Sequence, residues 1–242
     1  MFLPPGMVRA PASIEPTSQG FVIKLDQNLR TRTGGEYRLR SRAAHELMHA
    51  LFYDTTVLPP LRPWSGPPTR KSYLAEEELC NFLAREFLVP GSVLRTETHR
   101  RPTLGEPNLA SMNALKKEFD VSSDVLAYRL IRDLGIWQAL FAKYLKSGTV
   151  FKVTTRVKSS SGTLFRKLKI PGFIGQQAGV WHDTLRQGIS VSATGRSREA
   201  VVNLFDHEVK LESGRDSVDP LTVIFLASDA CHQSVPLVER TE

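Results

Sequence analysis

The sequence predicts an α+β protein in which a small mixed core is followed by a helical segment and then a mainly β C-terminal domain. Residues 42–53 and 73–89 carry apolar side chains at intervals of three and four, the periodicity of amphipathic helices. Residues 20–25 precede them with the pattern of a short strand. After about residue 147, short apolar stretches alternate with turn-forming residues, which is typical of an antiparallel sheet.

Composition narrows the classes of function. Of the 242 residues, 41% are hydrophobic and 24% are charged, as in globular proteins. The net charge of +7 is moderate and spread along the chain, so it is weak support for nucleic-acid binding. The two cysteines do not form a disulfide framework, which favours the cytoplasm. We find no signal peptide and no membrane span, and we expect no membrane contact.

Four segments are expected along the chain. Residues 1–19 are rich in Pro, Ser and Gly and predict a flexible leader. Residues 20–104 predict the compact core, and residues 105–147 predict a helical segment with a helix-turn-helix outline. Residues 148–242 predict the mainly β domain, whose ligand or role the sequence does not indicate.

Local signals place the elements of the core. Residues 29–33 and 37–39 are expected to flank a hairpin turn at 33–36. Ser41 is the expected cap of a helix that begins near Arg42. Residues 55–70 contain several prolines and predict a loop that acts as a passive crossover rather than a gate. Ser72 is the expected cap of the second helix, which Pro90 ends.

After a polar connector at 95–107, we expect helices at 109–119, 123–134 and 137–145, the second of them closed by Gly135. A DNA reader should carry basic or amide side chains early in its second helix. Here that helix begins with Ser123 and Asp124, and a carboxylate would repel phosphate. We therefore favour a supporting scaffold over DNA binding. The expected strands of the last domain span residues 150–157, 164–170, 189–193, 201–204, 209–211 and 221–226.

The first helix contains His45-Glu46-Leu47-Met48-His49, a His-Glu-x-x-His motif. Residues four apart lie on one face of a helix, so His45 and His49 can bind one zinc ion. Glu46 can then act as a general base on a water molecule activated by that ion. The alternative is a buried helix that carries two histidines by chance. A third ligand elsewhere must decide between these interpretations.

The second helix supplies the third ligand among Glu76, Glu77 and Glu78. In one interpretation these residues form a solvated acidic face at the helix start, where the dipole favours negative charge. In the other, one of them completes a His-His-Glu site. Asn81 lies one turn beyond Glu77, so its amide is a candidate to hydrogen-bond the outer nitrogen of a zinc-bound histidine.

These two motifs resemble the ImmA/IrrE family of zinc metallopeptidases. The second motif follows the family pattern from Glu77 through Asn81 to Pro90, although Met48 and Cys80 depart from the usual residues. The resemblance covers about residues 20–147 and implies a zincin-like core in which His45, His49 and Glu77 bind Zn²⁺ and Glu46 is catalytic. Glu77 has the family spacing, while Glu78 remains a second candidate. Cys80 is expected to be a small buried residue, with a minor chance of competing for the metal.

The resemblance also implies a cytoplasmic endopeptidase that cleaves a helix-turn-helix repressor in a stress-response or mobile-element switch. Two alternatives remain: a DNA-binding regulator with a structural zinc, and a degenerate peptidase fold that only binds partners. The oligomeric state is not indicated. Peptide hydrolysis also needs a hydrogen-bond donor that stabilises the oxyanion formed from the scissile carbonyl group. The candidates in the sequence are several arginines and four tyrosines, Tyr37, Tyr53, Tyr73 and Tyr128.

Overall fold

The computed structural model describes residues 12–26, 35–63, 69–147, 150–160, 172–174, 198–204, 207–215 and 222–229. The fold is α+β, as predicted, with helices in the middle of the chain and a sheet in the C-terminal region. The chain divides into two compact units. The first unit comprises Met1–Gly91 and Phe119–Ser122, and the second comprises Ser92–Glu118 and Ser123–Glu242. The first division thus falls at residue 91 rather than at the expected 104, and most of the middle segment groups with the C-terminal sheet.

The first unit begins with an antiparallel hairpin of β1 (Ala12–Thr17) and β2 (Gly20–Leu25). Gly20 turns the chain with a φ of +119°, a conformation that favours glycine. The expectation of a flexible leader at 1–19 is therefore wrong for residues 12–17. Pairing with β2 orders this stretch, and a composition rich in proline and serine gave no sign of that partner.

The helix α1 spans Gly35–His49 and continues into a 3₁₀ turn at Ala50–Phe52. It begins before Arg42, so the expected turn at 33–36, the strand at 37–39 and the cap at Ser41 are wrong; the strand at 29–33 lies outside the described residues. Glu36 occupies the first turn of α1, where the helix dipole favours a carboxylate. Several strong helix formers then continue the helix as far as the histidines.

A loop and a second long helix complete the first unit. The part of the proline-rich segment that is described is a loop, as predicted, and the backbones of Asp54 and Leu61 bridge it with hydrogen bonds of 2.7 and 3.2 Å. The helix α2 spans Arg70–Leu88. Its cap is Thr69 rather than Ser72, since the Thr69 hydroxyl oxygen accepts a hydrogen bond from the Ser72 backbone at 3.1 Å.

Four helices follow: α3 (Gly91–Arg100), α4 (Pro102–Gly105), α5 (Leu109–Phe119) and α6 (Ser123–Ala127). The expected connector at 95–107 is therefore wrong, whereas α5 has the predicted bounds. After α6 the helix continues without a break as a π-helical segment, Tyr128–Asp133, so the helix predicted at 123–134 is confirmed over 123–133. Gly135 ends this stretch with a φ of +61°, in agreement with the predicted closure.

The C-terminal sheet has six antiparallel strands in the order β5-β4-β3-β8-β7-β6. They are β3 (Ala139–Ser147), β4 (Val150–Lys158), β5 (Phe173–Ile174), β6 (Arg198–Leu204), β7 (His207–Arg215) and β8 (Thr222–Asp229). The predicted strands at 150–157, 201–204 and 209–211 are confirmed, as is the one at 221–226 over its described residues, 222–226. Those at 164–170 and 189–193 lie outside the described residues.

The expected third helix at 137–145 is wrong, because residues 139–147 form β3. This strand pairs with β4 on one side and with β8 on the other. A central strand that is buried on both faces has a nearly continuous apolar run, and such a run is easily mistaken for a helix. Within the part of the chain that is described, no helix is both long enough and apolar enough to cross a membrane.

Trp137, just before β3, is fully buried, and its indole nitrogen donates a hydrogen bond to the backbone oxygen of Leu104 at 3.2 Å. We expect Trp137→Ala to lower the free energy of unfolding by about 3–5 kcal/mol, because it leaves a large cavity. Urea denaturation followed by circular dichroism measures this change. Leu145→Ala is the control, since that side chain on β3 is 39% exposed and should matter much less. Equal losses in both variants would contradict the packing described here.

Candidate metal centre

The helix α1 places two histidines of the His-Glu-x-x-His motif side by side. His45 and His49 are 6% and 7% exposed, and their ring centroids are 4.9 Å apart. Their Nε2 atoms are separated by 3.2 Å. Buried polar rings need partners, because an unpaired polar group in the interior costs free energy. The surroundings of these rings therefore determine what the site can do.

The helix α2 packs against α1 and brings Glu77 to both rings. One carboxylate oxygen of Glu77, Oε2, lies 3.2 Å from Nε2 of His45. The other, Oε1, lies 3.5 Å from Nε2 of His49. Among the described residues, these three form a group whose ligand atoms all lie within 4.8 Å of one another. The sequence-predicted ligand set is thus brought together in space.

The spacing of these atoms fits a tetrahedral metal ion. Ligand atoms at about 2.0–2.1 Å from such an ion are separated from one another by about 3.3 Å. Here the two Nε2 atoms are 3.2 Å apart, and each lies close to a different oxygen of Glu77, at 3.2 Å for His45 and 3.5 Å for His49. Two imidazole nitrogens and one carboxylate are also the donors of many catalytic zinc sites, which leave a fourth position open. The group can therefore bind a divalent metal ion.

Glu76 holds His49 in the orientation that a metal ligand needs. Its Oε1 lies 2.7 Å from Nδ1 of His49, and the Glu76 side chain is almost completely buried. When Nδ1 donates its proton to this carboxylate, the lone pair of Nε2 points towards Glu77 and His45. Sequence reasoning named Glu76 only as one of three acidic neighbours. The available signal was its position directly before Glu77, since a residue next to a ligand can turn towards the same helix.

The structure does not place Asn81 in the role predicted for it. Its side-chain amide donates a hydrogen bond to the backbone oxygen of Glu77 at 2.8 Å, within α2. The outer nitrogen of His49 is bonded to Glu76 instead, and that of His45 is buried with no hydrogen-bond partner among the described residues. Helix spacing placed Asn81 correctly beside Glu77, but its short side chain turns back to its own helix.

Two competing ligands are disfavoured by the surroundings. Glu78 is exposed to solvent and lies outside the group of ligand atoms found among the described residues. Cys80 is completely buried, and burial raises the pKa of its thiol to about 12. Since a thiolate is the form that binds metals, this protonated thiol is a poor ligand. Cys80 is thus the small buried residue that the sequence predicts.

Glu46 is on α1, and its side chain lies beside the ligands and contacts the backbone of β1 in the hairpin. Burial is the main effect that raises the pKa of Glu46, and the charge of Glu77 adds to it. The neighbouring His49 and Arg42 oppose this shift, as does a hydrogen bond between the Glu46 carboxyl group and the backbone of Ile14 in β1. A carboxyl group whose pKa is raised towards neutrality is a better proton acceptor for catalysis. For His45, burial lowers the pKa and favours the neutral ring that binds metals.

Tyr73 is the tyrosine that the structure places at the ligands. It lies one turn before Glu77 on α2, and its hydroxyl group forms a hydrogen bond with the Glu77 carboxylate. The ring is 38% exposed, so the hydroxyl group borders solvent beside the metal centre. Burial and the charge of Glu77 raise its pKa, so Tyr73 carries its proton at neutral pH and can donate a hydrogen bond. Tyr53 instead packs against Phe21 and Arg62.

Removal of one of the three ligands should abolish metal binding, whereas removal of Glu78, the acidic residue that follows Glu77, should not. We expect one divalent metal ion per chain in the wild type and in Glu78→Ala, and little or none in His49→Ala or Glu77→Ala. The reason is that two remaining ligands bind a metal far more weakly than three. Metal content after gel filtration measures this difference. Loss of metal in Glu78→Ala with retention in Glu77→Ala would contradict the assignment.

Comparison with known proteins agrees with this geometry. Residues 33–131 match the family described as the IrrE N-terminal-like domain, Peptidase_M78. The matched stretch contains α1 and α2, and therefore all three ligands and Glu46. No curated protein shows a significant match to the chain. The resemblance to the ImmA/IrrE family drawn from the two motifs is thus confirmed over residues 33–131.

Proposed function

We propose that the protein is a zinc-dependent endopeptidase. The observation that carries this proposal is the convergence of His45, His49 and Glu77 on one point, with the Glu46 carboxyl group beside them. This donor set suits zinc better than magnesium or calcium, which prefer oxygen ligands. When bound, zinc would supply Lewis-acid chemistry that activates a water molecule and polarises the scissile carbonyl group.

In this mechanism Glu46 moves the proton. Its carboxylate accepts a proton from the attacking water and then delivers it to the nitrogen of the departing amine. The hydrogen bond to the Ile14 backbone keeps the carboxyl group in place, while burial keeps its pKa raised. His45 and Glu77 would be occupied as metal ligands, so Glu46 is the residue best suited to this step.

Tyr73 is our choice for the donor that stabilises the negative oxygen of the transition state. Its hydroxyl group is at the ligands and borders solvent, where a substrate carbonyl would approach. In the free protein its one proton is donated to the Glu77 carboxylate. The hydroxyl group must turn this proton to the substrate oxygen as negative charge develops there.

We further propose that the substrate is a helix-turn-helix repressor, cleaved in the cytoplasm to switch on stress-response or mobile-element genes. The family resemblance supports this proposal. Direct DNA binding by the chain itself is less well supported. The second helix of the helix-turn-helix outline begins with α6, and Asp124 at its start pairs with Lys143 at 3.0 Å. Arg129 is fully buried beside Asp133 and is therefore turned away from any phosphate.

Glu46→Gln should remove catalysis and leave metal binding intact. We expect peptide cleavage to fall by about 10²–10⁴-fold, because the amide cannot accept the proton of the water molecule. The assay uses zinc-loaded protein with a library of quenched fluorescent peptides and with unfolded casein. Zinc content and the melting temperature of the variant should match those of the wild type. Cleavage by the variant at the wild-type rate would contradict the proposed mechanism.

The cleavage assay and a DNA-binding assay together separate the remaining alternatives. A wild-type chain that binds one zinc and cleaves no peptide, casein or co-expressed helix-turn-helix repressor would favour the non-catalytic binding platform. Salt-dependent binding to a defined DNA duplex that survives in Glu46→Gln would favour the regulator with a structural zinc.

Tyr73→Phe should lower kcat by about 10²-fold with little change in KM, because it removes a donor used mainly in the transition state. The ring and the helix remain, so the fold should not change. Zinc content is measured in parallel, since the lost hydrogen bond to Glu77 is a separate effect. Tyr37→Phe is the control, because the described residues show no contact between the Tyr37 hydroxyl group and the three candidate ligands. An unchanged kcat in Tyr73→Phe would reject this assignment.

A further inference from the structure

In the described part of the proline-rich loop, the side chain of Arg62 extends to the metal centre. Its Nη2 atom donates a hydrogen bond to Oε1 of Glu76 at 2.7 Å, and its Nη1 atom donates to Oε2 at 3.1 Å. Oε1 of Glu76 also accepts the hydrogen bond from Nδ1 of His49 at 2.7 Å. A continuous chain of contacts therefore runs from the loop to a metal ligand. A guanidinium group that binds both oxygens of a carboxylate fixes its orientation as well as its charge.

Glu76 depends on this partner, since its side chain is 5% exposed. A buried carboxylate without a counter-charge is strongly disfavoured. Hydrogen bonds from Arg62 and His49 together engage both oxygens of the Glu76 carboxylate. Without Arg62, the carboxylate would lose its counter-charge and could rotate away from His49.

Arg62 is itself held by its surroundings. Its guanidinium carbon lies 4.9 Å from the ring centroid of Tyr53, close enough for a cation–π interaction. The Tyr53 ring packs edge-on against Phe21 with centroids 5.2 Å apart. The backbone bridge between Asp54 and Leu61 closes the loop directly before Arg62. The loop therefore presents Arg62 from a defined position, which a passive crossover would not need.

We propose that Arg62 is a positioning residue that sets the metal affinity of the site through Glu76 and His49. The proposal rests on the zinc site of the proposed function. Arg62 does not touch the metal position itself; it fixes the carboxylate that orients His49 and selects the Nε2 lone pair for the metal. The segment expected to be a passive crossover thus supplies part of the outer layer of the site. Loss of such a partner of a metal ligand typically lowers affinity by about 10–100-fold.

The test is zinc affinity, measured by competition with a chromophoric chelator on the full chain. We expect Arg62→Ala to weaken zinc binding by about 10–100-fold. Arg62→Lys should have an intermediate effect, because lysine keeps the charge but cannot bind both oxygens in one plane. Arg100→Ala is the matched control, since Arg100 pairs with Glu97 at the surface, where its side chain is 72% exposed. Zinc affinity of the control should equal that of the wild type.

A double-mutant cycle distinguishes positioning through Glu76 from a general effect on the fold. In a Glu76→Gln background, Arg62→Ala should produce much less than its effect in the wild type, because the group through which it acts is already lost. The melting temperature of the metal-free chain reports any structural role separately. Zinc affinity of Arg62→Ala within twofold of the wild type, or additive effects in the cycle, would overturn this inference. A wild-type chain that binds no zinc would instead overturn the site of the proposed function.

Discussion

The burial of two histidines between α1 and α2 is the constraint on which the site depends. Buried imidazole nitrogens favour polar partners, and the neighbouring helix supplies two carboxylates that lie close to three of the four nitrogens. Glu77 faces the inner nitrogens of both rings, whereas Glu76 bonds the outer nitrogen of His49. The same need for partners explains Arg62, which offsets the charge of Glu76. Arg62, Glu76 and His49 therefore form a continuous chain of polar contacts from the loop to the metal position.

The division of work between neighbouring carboxylates follows from their surroundings. Glu76 is paired with a cation, and its pKa is lowered, so it remains an acceptor with a structural task. Glu46 has no such strong pairing, and burial raises its pKa, which suits a group that must take up and release a proton. Glu77 is more exposed than Glu76 and faces both rings. Three residues of similar chemistry thus have different roles because of their positions.

The sequence predicted the candidate ligands that the structure brings together, because helix periodicity fixes which residues share a face. His45 and His49 needed only that rule, and Glu77 needed the family spacing. It did not identify Arg62 or Glu76 as partners, since the path of an irregular loop and the rotation of a side chain depend on tertiary contacts. The same limit applies to the prediction of secondary structure. The bounds of α5 were predictable from an amphipathic pattern, whereas β1 and β3 depend on partner strands that local sequence does not reveal.

The central proposal is that two histidines and a glutamate bind a zinc ion with no sulfur ligand. X-ray absorption spectroscopy at the zinc edge of the loaded chain tests this claim most directly. We expect only nitrogen and oxygen neighbours at about 2.0–2.1 Å, with the outer-shell scattering of two imidazole rings. A sulfur neighbour at about 2.3 Å, or the absence of imidazole scattering, would contradict it.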